Sequence, residues 1–192
     1  MRDPLDLDRR TRLPDDLLDL LRRHPRETWA DHPNLGATAT FWLRRHAMFR
    51  ELGASLTGAA RGRRDDAAPP EVFRRWFAPR LRFFLGELEG HHQIEDAHYF
   101  PLFLRAEPRL GRGFAVLERD HETIHADLLA IAQSGRALID ALARGADPAR
   151  RAADACAADA DRLLTRLMRH LDDEEDLVAP LILERTEAGL EL

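Results

Sequence analysis

The chain is 192 residues long, 44% hydrophobic and formally −5 at pH 7 with a pI near 6.0, which suits one domain with a sizeable core. All 29 of its basic residues are arginines, interleaved with 34 acids rather than clustered, which argues against nucleic acid as a partner. A single cysteine, Cys156, excludes an intrachain disulfide framework and any cysteine-built metal or iron–sulfur site within one chain.

The opening segment MRDPLDLDRR is charged and lacks the apolar stretch of a signal peptide, and no later apolar run approaches a membrane span. A cytoplasmic protein without a membrane partner is expected. Alternating β-branched runs are nearly absent, whereas apolar residues recur at three- and four-residue steps, so the chain is expected to be all-α. Residues 1–36 carry a short helix from Pro14 to about His24, then a loop punctuated by Pro25, Pro33 and Gly36. The first long helix runs from about Ala37 to Ala60. After it Arg61, Arg63, Arg64, Asp65 and Asp66 read as a solvated loop closed by Pro69 and Pro70.

Pro70 to Ala78 reads as a lead-in, and Pro79 suits the first turn of a second long helix that continues to about Ala106. Glu107 to Gly111 is a turn. The third helix spans about Arg112 to Arg144, and Asp147 is placed to cap a fourth, about Pro148 to Glu187, stopped by Gly189. Short connections between long helices predict antiparallel neighbours: an up-down-up-down four-helix bundle over residues 37–188, preceded by an N-terminal extension over 1–36.

Seven residues on those helices stand out: His46, the pair His91 and Glu95, the pair His121 and His125, and the pair His170 and Glu174. Four-residue spacing puts both members of a pair on one helix face. In an antiparallel bundle a shared site needs ligands equally deep on adjacent helices. The second- and third-helix pairs both lie roughly 20 Å from their common turn at 1.5 Å per residue, and the third and fourth agree to within about one helical turn. The same faces carry Ala39, Trp42, Leu43, Phe49 and Gly53 around His46, and Phe84, Leu88 and Leu102 around His91. Around His170 they carry Leu163, Leu167, Leu177 and Leu181. Seven polar side chains in one apolar layer are costly without a partner. Five imidazoles and two carboxylates are the ligand supply of a two-metal centre.

HHQIEDAHYFP in the second helix and HLDDEEDLVAP in the fourth each place a Pro six residues after the Glu, which predicts a bend in both helices just beyond the site. Two registers stay open at this level: Glu175 in place of Glu174, and His92 with Asp96 in place of His91 with Glu95.

His46, His91-x3-Glu95 with the trailing Phe100-Pro101, His121-x3-His125 and His170-x3-Glu174, in this order over about residues 37–187, resemble hemerythrin and the wider HHE-type cation-binding domains. The resemblance implies two non-heme irons, one held by His121, His125 and His170, the other by His46 and His91, with Glu95 and Glu174 bridging. It further implies an open iron position for dioxygen, nitric oxide or peroxide. Oxygen or redox sensing, binding and detoxification all follow from such a site, and whether it turns a substrate over is not written in the ligands.

The rivals are a peroxide-disproportionating di-iron enzyme, a zinc protease read from His121-Glu122-x-x-His125, a ferritin-like carboxylate site, and a metal-free helical interaction scaffold. Leu167 stands where the ferritin-like pattern wants a Glu before His170. No strand is expected that could offer a protease substrate an edge. The extension, with Trp29, His32 and Asn34, is expected to pack as plain structure.

Overall fold

A computed structural model describes residues 3–63 and 69–192. Among them the chain is all-helical, in the order α1 (Asp19–Arg23), α2 (Ala37–Gly62), α3 (Pro70–Ile94), a π-helical turn (Glu95–Tyr99), α4 (Phe100–Ala106), α5 (Gly111–Ala141) and α6 (Ala146–Arg185), with single 3₁₀ turns between several of them. No described helix is long and apolar enough to cross a membrane.

The contacts divide the chain into two units. One comprises Met1–Ala47, His92–Glu122 and Met168–Leu192; the other comprises Met48–His91 and Thr123–Leu167. In the first, Leu13, Leu17, Trp42, Phe100, Phe103, Phe114, Leu117, Leu177 and Leu181 form the centre of a buried cluster. In the second, Phe49, Leu56, Phe77, Phe84, Leu88, Ile124, Leu138 and Leu163 are almost fully enclosed. Neighbouring helices run antiparallel inside each unit. Phe49 packs on Phe84 while Arg63 lies over Phe73, so α2 and α3 count in opposite directions.

Pro79 does not start a helix as expected; it lies inside α3, which begins at Pro70. An interior proline costs about 3 kcal/mol. Phe73, Phe77, Leu81, Phe84 and Leu88 form one buried stripe across it, each contributing about 1.5–3 kcal/mol, so packing wins. The guanidinium of Arg80 donates to the carbonyl of Trp76 beside the interruption.

The two later prolines also part company. Before Pro101 the helix widens into a π turn, in which the Phe100 N–H reaches the carbonyl of Glu95, five residues back. The change of phase explains why Phe100 and Phe103 are buried while Leu102, the expected core position, is only half-buried. Pro180, by contrast, sits in an uninterrupted α6.

The extension seals the outer side of α6. Trp29 packs on Ala179 and Leu183, and Asn34 donates to the carbonyl of Leu183 at 2.7 Å. Glu187 in turn accepts from the Ala39 N–H at 2.8 Å, placing a carboxylate at the positive end of α2. Gly36 is required there, because a Cβ would come within 2.3 Å of that carboxylate.

The basic segment read as a solvated loop is only partly so. Arg61 belongs to α2, whereas Arg63 is buried over the Phe73 ring. Arg64, Asp65 and Asp66 lie outside the described residues.

Glu107, at the turn before α5, accepts from Arg109 Nε at 2.7 Å and from Arg185 Nη2 at 3.0 Å. The Arg109 hydrogen bond, opposed by burial and reinforced by Arg185, holds its carboxyl at about 2 instead of 4.5. A lowered folded-state value contributes stability above the unfolded pKa that is lost as pH falls through the folded one. Glu107→Gln should therefore lower stability by about 1–2 kcal/mol near neutral pH, with the difference from wild type fading towards about pH 2. Urea unfolding at both pH values checks this, and an equal difference at both would refute it.

Candidate metal centre

Each long helix carries its site residue on the face that packs inward. On α2, Ala39, Trp42, His46 and Phe49 form a buried stripe at three- and four-residue steps, and His46 is fully enclosed. On α3 the stripe through Phe84 and Leu88 continues into both His91 and His92, then Glu95 at the start of the π turn. On α5 it runs Phe114, Leu117, His121, Ile124 and Leu128, and on α6 it runs Leu163, Leu167, His170, Glu174 and Leu177. These are apolar heptad-like seams interrupted by imidazole and carboxylate at one level.

Two groups of ligand atoms result. His92, His121 and His170 offer three ring nitrogens, and His46, His91, Glu95 and Glu174 offer two nitrogens and two carboxylate oxygens. Within each group all the atoms lie within 4.8 Å of one another, and all seven residues are buried. Glu174 Oε2 stands 3.3 Å from His170 Nε2 and 3.6 Å from His46 Nε2, so one oxygen faces a histidine of each group. Glu95 Oε2 lies 3.8 Å from His121 Nε2, while its Oε1 accepts from the Trp42 indole at 2.7 Å.

Behind the ligand atoms is a shell of carboxylates. His121 Nδ1–H donates to Asp96 Oδ1 at 2.7 Å, His170 Nδ1 faces Asp120 Oδ2 at 3.4 Å, and His46 Nδ1–H donates to Glu175 Oε1 at 3.1 Å. Carboxylates only accept, so these contacts put the ring proton on Nδ1 and leave Nε2 as a lone pair aimed inward, the arrangement of metal-bound histidine.

Such an arrangement fits a cation. The Nε2 atoms of His121 and His170 sit 3.2 Å apart. With both protons on Nδ1, two lone pairs face each other there, and a positive ion in front of them turns repulsion into ligation. Likewise burial first, and the nearby charge of Glu174 second, push the Glu95 carboxyl well above its ordinary value. Two buried carboxylates at one point are stable as anions only beside compensating positive charge. Asp120 shows the opposite balance. Burial alone would raise its pKa, but hydrogen bonds from His170 and Arg10 outweigh that and hold it low.

The structure brings together His46, His91, Glu95, His121, His170 and Glu174 from the seven residues singled out in the sequence. His125 stands apart. Among the described residues it belongs to neither group; its side chain is half exposed and its Nδ1 pairs with Glu89 at 2.8 Å. The cause is helix phase: on α5 the inward position after His121 is Ile124, three residues on, so a side chain four residues on rotates out past the edge of the face. His92 occupies the vacated role. Adjacent buried histidines on α3 were visible as a register alternative, yet both are used. Glu175, the other alternative, lies behind His46 rather than among the ligand atoms.

The same geometry removes support from the protease pattern, since Glu122 is exposed and His125 points away from His121's group. Tyr99 packs on Phe103, and His98 is exposed.

Fold and site define a class: an all-helical domain whose core presents histidine and glutamate groups that could hold a metal cation. The family model described as the hemerythrin HHE cation binding domain matches residues 37–182, and the chain belongs to that family. No curated protein and no solved structure matches it.

His92→Ala should abolish stoichiometric metal binding, whereas His125→Ala should leave metal content and melting temperature near wild type. Metal analysis of the two purified variants decides this; loss of metal from the His125 variant with retention in the His92 variant would reverse the assignment.

Proposed function

We propose that this chain is a non-heme di-iron protein of the cytoplasm that binds dioxygen, nitric oxide or peroxide. One ion is assigned to His92, His121 and His170 and the other to His46 and His91, with Glu95 and Glu174 bridging. The observation that carries this reading is the convergence of five buried imidazoles and two buried carboxylates in two adjoining groups, with the histidine protons held on the outer ring nitrogens. Imidazole suits iron, and carboxylates placed between two cations cancel charge while holding them close.

Iron bound there would supply a redox couple and, at the ion with fewer histidines, an open coordination position. The rest of the work falls to this chain's own residues. Trp42 holds Glu95 by its indole N–H, fixing which carboxylate oxygen is left to bridge. The rings of Trp42, Phe49 and Phe100 lie 4.2, 5.1 and 5.5 Å from those of His46, His91 and His121. Aromatic walls of this kind exclude water and strengthen every electrostatic contact inside. A dry wall favours reversible ligand binding over hydrolytic chemistry.

Sensing, carriage and turnover such as peroxide disproportionation are three uses of one site, and reversibility separates them. The protein should be purified with iron, reduced anaerobically, then exposed to air while its visible spectrum is followed. About two irons per chain and a band that disappears when oxygen is removed are the expected outcome. Two irons that oxidise irreversibly would shift the reading to peroxide or nitric oxide chemistry, and protein that holds no iron after iron-replete expression would refute it.

A further inference from the structure

The extension before residue 37 lies outside the family match, yet two of its arginines reach the ligand histidines, each through one carboxylate. The Arg10 guanidinium is almost wholly buried. It grips both oxygens of Asp120, with Nη1 to Oδ1 at 3.0 Å, and its Nε donates to Asp173 Oδ2 at 2.7 Å. Asp120 is the carboxylate that faces His170 Nδ1.

Arg26 repeats the device on the other group. Its Nη1 donates to Glu175 Oε2 at 2.7 Å, and the other oxygen of that carboxylate accepts from His46 Nδ1. Its remaining nitrogens are tied down by Asp176 Oδ1 and the carbonyl of Asp172, both at 2.7 Å, and its plane lies 5.1 Å from the Trp29 ring. Two Arg–carboxylate–His relays therefore start in the extension and end at one histidine of each group.

We propose that Arg10 and Arg26 are positioning residues of the metal centre, Arg10 acting on His170 through Asp120 and Arg26 on His46 through Glu175. This rests on the metal reading above. A carboxylate behind a metal-bound imidazole sets ring orientation, tautomer and donor strength, and losing such a partner typically costs 10–100-fold in metal affinity. A planar guanidinium fork clamps the carboxylate in one orientation, which the point charge of an ammonium does not. Burying a guanidinium beside Asp120 and Asp173 is expensive unless the pairing geometry is good, and three hydrogen bonds to those two carboxylates meet that demand.

The test uses the full chain, made metal-free and titrated anaerobically with Co(II) as a spectroscopic probe and with Fe(II), against a competing chelator. Arg26→Met should weaken one of two Co(II) sites by about tenfold or more and shift its ligand-field bands, while the metal-free protein melts close to wild type. Arg10→Met should weaken the other site, and Arg26→Lys should restore only part of the loss. Folded Met variants that bind both ions with wild-type affinity and spectrum would overturn the proposal, as would a loss confined to metal-free stability. If Arg10→Met does not fold, Arg26→Met decides alone, since the Arg26 side chain is 40% exposed and its removal leaves no buried hole. Wild-type protein that binds neither probe refutes the metal reading itself, and this proposal with it; binding by wild type with unaltered variants refutes only this one.

Discussion

The constraint on which the rest of this structure depends is the cost of holding imidazoles and carboxylates inside an apolar core. An unpaired buried polar group costs several kcal/mol, and a buried carboxylate beside another costs more. The chain meets that cost in layers. Side chains at the centre turn lone pairs and charges towards one another, Asp96, Asp120 and Glu175 take the outward ring protons, and arginines neutralise Asp120 and Glu175. Each layer is intelligible only from the one inside it. Asp120 and Arg10 would be an unusual pair to bury for packing alone.

Much of this was written in the sequence. Periodicity located the long helices to within a few residues, because their apolar stripes are long and uninterrupted by strand-like runs. Equal depth on neighbouring helices found six of the residues the structure brings together. The two departures have one cause, since depth along an axis says nothing of rotation about it. His125 is near the right level but on the wrong side of α5, whereas His92 lies one residue from an expected ligand and still faces inward. Three-residue and four-residue steps diverge by about 100° around a helix, and only the observed burial of Ile124 chooses between them. Pro79 was misplaced for a related reason: a local preference for helix starts was weighed without the stripe of phenylalanines that overrides it.

The extension was underestimated although a signal for its role was present. Residues 177–183 read Leu-Val-Ala-Pro-Leu-Ile-Leu, apolar on every side of a helix that was assigned only one inward face. A helix apolar all round is covered all round. Something had to lie over the outer side of α6, and in this chain only the extension was left to do it. Trp29, Asn34, Arg10 and Arg26 supply that cover, and the polar members are the ones that reach towards the histidines.

The π turn after Ile94 is, in effect, one surplus residue in the phase of a helix. Up to Glu95 the helix is timed to present ligand side chains, and beyond Tyr99 it is timed to seat Phe100 and Phe103 in the core of the first unit. Those two timings differ by about 100°, the rotation of a single residue. Deleting any one residue between Asp96 and Tyr99 would restore a regular helix and, in doing so, set the ligands and the phenylalanines at odds. This stretch can therefore tolerate substitution of its outward side chains far better than any change in its length.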